Sequence, residues 1–66
     1  MKKYIGYYIA GNFYKYSIYE ITDAKGKKIY NAEPVGAGVT RVSTNLPDLY
    51  LQLDNDVWAL NHIWTR

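Results

Sequence analysis

The chain has 66 residues, of which 48% are hydrophobic, 17% aromatic and 21% charged, and it contains no cysteine. This length predicts one small domain spanning residues 1–66, and the lack of cysteine excludes disulfides, thiolate metal sites and cysteine nucleophiles. So short a chain also leaves little room for an enclosed small-molecule pocket of about 300–1,000 Å³. Eight Tyr, two Trp and one Phe offer large side chains for building a core without cross-links.

The formal charge of +2 is unevenly distributed along the chain. Residues 1–30 contain six Lys and two acidic residues, whereas residues 31–66 contain two Arg and four acidic residues. The N-terminal run MKKYIGYYIA is too short and too rich in Tyr to indicate a signal peptide. No stretch approaches the run of about 18 apolar residues that a membrane span requires. We therefore expect a soluble, cytoplasmic protein.

The first predicted element is a β-hairpin over Lys3–Glu20, with Gly11-Asn12 as a two-residue turn. In this register Lys3 lies opposite Glu20, and successive side chains alternate between the two faces of the sheet. One face, expected to pack on a helix, contains Ile5, Tyr7, Ile9, Tyr14, Tyr16 and Ile18. The other face contains Tyr4, Gly6, Tyr8, Ala10, Phe13, Lys15, Ser17 and Tyr19.

A second hairpin is predicted at Asp23–Gly26, a type I turn whose final glycine adopts the left-handed conformation. Pairing Thr22 with Lys28 extends the sheet to a three-stranded antiparallel meander. Residues 39–43 predict a short edge strand after the proline that ends the third strand.

The next segment predicts a helix over residues 46–53, with Asn45 as its N-cap. Its apolar residues recur at helical spacing, at Leu46, Leu49, Tyr50 and Leu53. The short polar residues Asp54–Asp56 favour turns and predict the end of the helix. Residues 57–64 are rich in β-branched and aromatic side chains, which predicts a strand. A helix continued through Leu53, Val57, Leu60 and Trp64 is the alternative.

These elements predict an α+β domain. Its core is a small antiparallel sheet of three to five strands, built from two successive hairpins, with one helix packed on one face.

Signals for catalysis are weak. His62 is the sole histidine, and neither Ser17 nor Ser43 lies in a nucleophile-elbow context. The segment Asp54–Asp56 lacks the glycine and the distal glutamate of a calcium loop. We therefore expect no enzymatic activity, no cofactor and no metal.

The second face of the sheet is the candidate binding surface, because one helix can cover only one face. We predict that a partner binds there through Tyr4, Tyr8, Phe13, Lys15 and Tyr19. Contiguous exposed apolar patches usually mark interaction sites, and tyrosine is favoured at protein interfaces. The alternative is that residues 34–43 or the last strand cover this face. Homo-oligomerisation through it is compatible with either function considered below.

The leading hypothesis is a non-enzymatic protein-binding module. In its most concrete form it is a small intracellular inhibitor or adaptor, of the kind that phages and mobile elements encode, and it occludes a surface of its partner. The alternative is a nucleic-acid-binding module in which tyrosines stack on bases and Lys15, Lys27 and Lys28 contact phosphates. A low arginine content and a modest net charge weigh against nucleic acid.

Two resemblances accompany these hypotheses. The hairpin-then-helix order, with the D-x-x-G-K turn at Asp23–Lys27, resembles arm-type DNA-binding domains of tyrosine recombinases over about half of the chain, which implies DNA binding. The compact order of strands, helix and strand is similar to that of small phage proteins that block host enzymes, which implies inhibition of a partner.

Overall fold

The computed structural model describes residues 1–11, 13–36 and 38–64, with side chains described as far as residue 59. In this part of the chain four strands form an antiparallel sheet in the order β1-β2-β3-β4, and one helix packs against it. The elements are β1 (Lys2–Ala10), β2 (Tyr14–Thr22), β3 (Lys28–Pro34), β4 (Arg41–Ser43) and α1 (Leu46–Trp64). The predicted α+β class is confirmed.

The hairpin of β1 and β2 has the predicted register at its open end and a shifted register near its turn. Lys3 lies opposite Glu20, as predicted, but Tyr8 lies opposite Tyr16 rather than Lys15. A shift of one residue exchanges the two faces of a strand. The helix-facing side chains of β1 near the turn are therefore those predicted to face away from the helix.

Two compensating insertions cause this shift. The turn occupies residues 11–13 instead of the predicted two residues, and Asn12 itself lies outside the described residues. The extra residue in the turn is balanced by a β-bulge at Ile5, after which the predicted pairing resumes. Gly6 follows the bulge with φ of 142°, a conformation that residues with a side chain rarely adopt. This glycine allows the bulge to form where it does.

The shift affects β1 but leaves β2 as predicted. Facing the helix, as expected, are the β2 side chains Tyr14, Tyr16 and Ile18. The prediction that Ile5, Tyr7 and Ile9 pack on the helix is wrong, and all three are exposed. Their place on the helix-facing side is taken by Tyr8 and Ala10, of which Ala10 is fully buried.

The turn between β2 and β3 is held by local hydrogen bonds, and the predicted register of these strands is confirmed. Asp23 Oδ1 accepts the backbone N–H groups of Lys25 and Lys27, both at 2.9 Å. Gly26 has φ of 81°, as the predicted left-handed position requires. The edge strand predicted at residues 39–43 is present in shorter form as β4.

The helix begins where predicted, because its first turn is capped. Asn45 Oδ1 accepts the N–H of Asp48 at 2.8 Å, which satisfies one of the unpaired donors of the first turn. Ser43 Oγ donates to Asp48 at 2.7 Å, and Gln52 Nε2 donates to it at 2.9 Å. The bond from Ser43, and to a smaller extent the bond from Gln52, hold the pKa of Asp48 below its ordinary value.

The end of the helix differs from the prediction. The predicted stop at Asp54–Asp56 and the predicted strand over residues 57–64 are wrong, and the alternative of a continued helix is correct. Leu49, Leu53 and Val57 recur every four residues and are all buried, so the apolar face continues past the polar residues. The order of elements is therefore four strands followed by a helix, without the final strand of the second resemblance. The predicted positions of the Leu60, His62 and Trp64 side chains lie outside the described side chains.

The core lies between α1 and the face of the sheet that carries the even-numbered residues of β2. It consists of Ala10, Tyr16, Ile18, Ala32, Leu49, Leu53 and Val57. Partly buried around it are Tyr8, Tyr14, Tyr30, Leu46 and Tyr50. Because every member of this core comes from one face of the sheet or from the helix, the opposite face of the sheet takes no part in it.

Candidate functional site

The face of the sheet away from α1, here called the open face, is built from alternate side chains of all four strands. The register places on it Lys2, Tyr4, Tyr7, Ile9, Lys15, Ser17, Tyr19, Ile21, Ile29, Asn31, Glu33 and Val42. None of these residues is buried. Tyr7 is 59% exposed and Ile9 48% exposed, so large apolar side chains of the open face reach solvent.

Three of the five predicted binding residues lie on this face, namely Tyr4, Lys15 and Tyr19. The placement of Tyr8 there is wrong, since the shifted register turns its side chain toward the helix. Phe13 lies in the turn between β1 and β2 and is 88% exposed, at the tip of the hairpin and off the sheet face.

Tyr7 and Ile9 also lie on the open face, although the predicted register placed both of them against the helix. The signal that could have found them is Gly6, because an isolated glycine inside a strand pattern indicates a bulge. A bulge in β1 shifts the pairing by one residue, which would have placed Tyr7 and Ile9 on the open face.

Tyr8 has a structural role against the helix. Its ring stacks on that of Tyr50, with centroids 4.4 Å apart and an interplanar angle of 11°. Its hydroxyl donates to Asp54, with Oη 2.9 Å from Oδ1 and 3.0 Å from Oδ2. Burial, followed by the hydrogen bond to the Asp54 carboxylate, raises the pKa of Tyr8. Tyr8 therefore joins β1 to α1.

One end of the open face is an interlocked polar and aromatic cluster. Lys2 Nζ lies 2.5 Å from Glu33 Oε2 and 4.4 Å from the centre of the Tyr19 ring. The hydrogen bond to Glu33 raises the pKa of Lys2. Asn31 Nδ2 also donates to Glu33, at 2.8 Å. The charge of Lys2 is thus balanced within the face itself.

The aromatic residues of the face make further contacts. The Tyr4 and Tyr19 rings meet edge to face, with centroids 5.7 Å apart. Toward the other end of the face, Lys15 Nζ lies 4.7 Å from the centre of the Tyr7 ring. Both lysines of the face therefore extend over tyrosine rings, a cation–π arrangement that holds the rings in place.

The lysines named for phosphate contact are not brought together. Lys15 lies near the start of β2, whereas Lys28 lies opposite Thr22 at its other end. Lys28 is on the helix-facing side of the sheet, with Nζ 3.8 Å from Glu20 Oε1. Lys27 precedes β3 in the second turn. These three positions do not line one groove along which a phosphate backbone could run.

Between residues 1 and 59, leaving aside residues 12 and 37, no group of three His, Cys, Asp or Glu side chains is placed to hold a metal ion. Among the described residues, no helix has both the length and the apolar character needed to cross a lipid bilayer.

The fold and this surface define a small α+β domain in which one sheet face is covered by a helix and the other is open and rich in tyrosine. Comparison with known protein families, with curated proteins and with solved structures finds no match to the chain. The side chains of the open face are therefore the main evidence on what the domain does.

Proposed function

We propose that the chain is a non-enzymatic protein-binding module whose open face contacts a partner protein. The observation that carries this proposal is the exposure of large apolar side chains along one sheet face, at Tyr4, Tyr7, Ile9 and Val42. Large apolar side chains that are exposed together on one face usually mark an interaction site. Tyrosine adds rigid contact area with a polar tip, which suits a surface that must be soluble when free.

The order already present in the face favours binding. The rings of Tyr4 and Tyr19 contact each other, and lysines extend over Tyr7 and Tyr19. Side chains that are ordered before association lose less entropy when they are covered by a partner. Beneath these side chains, β2 and β3 each pair with a neighbouring strand on both sides, which holds the sheet together.

The electrostatics of the face favour a protein over a nucleic acid. Binding to nucleic acid depends on several cations that contact phosphates along one track. On the open face, Lys2 is neutralised by Glu33, which leaves Lys15 as the cation without an acidic partner among the described side chains. A mixed, weakly charged and aromatic surface is typical of protein interfaces.

The most concrete form of this proposal is an inhibitor or adaptor that acts by covering a functional surface of its partner inside the cell. The open face presents exposed tyrosine and aliphatic side chains from more than one strand, which suits a domain that covers a surface of its partner. The phage or mobile-element origin that accompanies this form remains a prediction.

The experiment is an affinity measurement on a captured partner. The tagged full chain is used to capture proteins from a nuclease-treated lysate of the native host, and the captured protein is then purified. Its affinity is measured by calorimetry for the parent chain and for Tyr4→Ala and Tyr7→Ala. Each variant is expected to weaken binding by about 2 kcal/mol, or about 30-fold, as the loss of an interface anchor does.

The matched control is Leu51→Ala, since Leu51 is 58% exposed on the helix, away from the open face. It should leave the affinity unchanged, and circular dichroism should show that all three variants fold. Equal affinity of the parent, Tyr4→Ala and Tyr7→Ala would show that the open face is not the binding surface. Tight binding to a single-stranded oligonucleotide that falls steeply with salt would favour the nucleic-acid alternative instead.

A further inference from the structure

The strand β1 forms one edge of the sheet, and half of its backbone polar groups face away from β2. The N–H of Val35 donates to the C=O of Lys15 at 3.0 Å, so the backbone of Lys15 faces β3. Because backbone directions alternate along an antiparallel strand, its partner Ile9 faces outward, and so does Tyr7. No backbone hydrogen bond from the described residues reaches the N–H or C=O groups of these two residues.

Protection of this edge is confined to its first half. There, the bulge at Ile5 interrupts the edge and Lys2 and Lys3 add charge, both of which oppose pairing with another strand. The second half, Gly6–Ala10, contains no bulge, no charged residue and no proline. It is an unprotected segment of edge strand.

Apolar side chains lie on both sides of this unprotected segment. On the open face they are Tyr7 and Ile9, described above. On the helix side, α1 contacts β1 through Tyr50 and Asp54. At 3.6 residues per turn, Leu51 and Trp58 lie next to these positions on the outer side of the helix. They are 58% and 62% exposed, so they add apolar surface on the solvent side of the helix near this edge.

We propose that this edge pairs with the same edge of a second copy of the chain, antiparallel and across a two-fold axis. With Tyr8 on the axis, Tyr7 of each copy lies opposite Ile9 of the other. The outward N–H and C=O groups of both residues are then satisfied reciprocally. The two sheets become one continuous sheet, and the two open faces become one surface. The edge shares Tyr7 and Ile9 with the open face, but the pairing uses their outward backbone groups and does not depend on the proposed function.

Three features make a second copy the fitting occupant. The segment is self-complementary, since its outward residues are symmetric about Tyr8 and the interface is therefore isologous. Tyr7 opposite Ile9 is an aromatic and β-branched cross-strand pair, a favourable combination. Gly6–Ala10 contains no charged residue, so pairing with a second copy removes no charge of this segment from water.

The helix side chains supply contact area that a short strand pair lacks. Stable interfaces bury about 1,200–2,000 Å² in total. Leu51 and Trp58 neighbour Asp54 on the helix surface, three residues before it and four after it, so in the proposed pair their exposed surfaces would add to the buried area.

The test is sedimentation velocity on the full chain from about 10 μM to about 1 mM, a range that detects micromolar to near-millimolar dissociation constants. The parent should form a dimer that dissociates on dilution. Ile9→Pro removes an outward N–H and leaves the ladder with β2 intact, since proline is tolerated on the solvent side of an edge strand. It should raise the dissociation constant by at least about tenfold, because each copy loses a hydrogen bond. Ile9→Val, which keeps the N–H, should remain a dimer.

Leu51→Glu tests the helix side of the interface and should also weaken the dimer at least about tenfold, because it places an unpaired charge there. If circular dichroism shows that Ile9→Pro does not fold, this variant decides the outcome. Tyr4→Glu is the control: it lies on the open face beyond the bulge and should leave the dimer unchanged.

Two results would overturn the proposal. If the parent chain stays monomeric up to about 1 mM, this edge does not mediate self-association. A strand of another protein would then be the remaining candidate to pair with it. A dimer that Tyr4→Glu dissociates, and that folded Ile9→Pro and Leu51→Glu leave intact, forms through the open face instead.

Discussion

The hydroxyl of Tyr8 on the edge strand donates a hydrogen bond that is shared between the two carboxylate oxygens of Asp54, at 2.9 and 3.0 Å, in the middle of the helix. On the other side of the helix, Arg41 of β4 donates from Nε and Nη2 to Asp56, at 2.6 and 3.0 Å. Both contacts use acidic residues from the segment that predicted a helix end. Because the sheet supplies partners for these carboxylates, the helix continues through them.

Replacing Tyr8 by Phe is expected to destabilise the fold modestly. The variant keeps the ring that stacks on Tyr50 and loses the hydrogen bond to Asp54. Because this bond is exposed to water, the loss should be about 0.5–1.5 kcal/mol in the free energy of unfolding, measured by urea denaturation. Affinity for the captured partner should not change. A variant with parental stability but reduced affinity would place Tyr8 on the binding surface after all.

Leu53→Ala and Leu51→Ala form a matched pair on one helix. Leu53 is fully buried between helix and sheet, so its truncation should cost about 2–5 kcal/mol through lost burial and the cavity that remains. Leu51 is largely exposed, and its truncation should change the stability by about 0.5 kcal/mol or less. Thermal and urea denaturation of both variants, at a concentration that keeps them monomeric, checks the difference. Equal losses would mean that the helix packs through another face.

Gly38→Ala is expected to destabilise the domain through a backbone and a steric effect. Gly38 has φ of 139°, and a Cβ built there would lie 2.8 Å from Tyr16 Oη. The strained backbone and the clash together should cost about 1–3 kcal/mol in urea denaturation. Combining Gly38→Ala with Tyr16→Phe removes the nearest contact and should recover part of the loss. No recovery in the double variant would show that the contact with the Tyr16 hydroxyl does not contribute to the cost.

Tyr16→Phe should leave the free energy of unfolding unchanged or raise it by up to about 1 kcal/mol at neutral pH. The Tyr16 hydroxyl is buried and has no hydrogen-bond partner among the described residues, so the fold already bears the cost of removing it from water. A clear loss of stability would show that this hydroxyl bonds a group outside the described residues.

Alkaline pH should destabilise the protein. Burial, followed by the charge of Asp56, raises the pKa of Tyr16 above its ordinary value of 10.0. Below pH 10 the residue is protonated in the folded and the unfolded chain, and its contribution is constant. Above pH 10 the unfolded chain loses the proton first, so stability falls as pH rises through this range. Urea denaturation at a series of pH values should show a shallower decline for Tyr16→Phe than for the parent, and identical slopes would contradict this assignment.

Several parts of the fold could be predicted because their causes are local. The second turn depends on Asp23, which accepts hydrogen bonds from residues two and four positions away. The start of the helix depends on Asn45, which caps the residue three positions on. The helix-facing side chains of β2 follow from strict alternation. In each case the groups that determine the structure lie within a few residues of one another in the sequence.

The candidate surface was predicted in part. Tyr4 lies beyond the bulge in β1, where the predicted register applies, and Lys15 and Tyr19 lie on β2, whose alternation the bulge does not change. Tyr8 and Tyr7 exchange places because the turn is one residue longer than predicted and the bulge absorbs the difference. Pairing of the strands at both ends of the hairpin decides how this extra residue is placed, and the turn sequence alone does not.

The sequence by itself determined the α+β class, the two hairpins and the first turn of the helix. Tertiary structure decided which face of β1 meets the helix and how far the helix runs. Its length depends on Tyr8 and Arg41, which bind carboxylates at positions 54 and 56 across 46 and 15 residues of chain. Contacts over such separations form only when the sheet and the helix are packed together, because no local propensity encodes which distant side chain will satisfy a polar group.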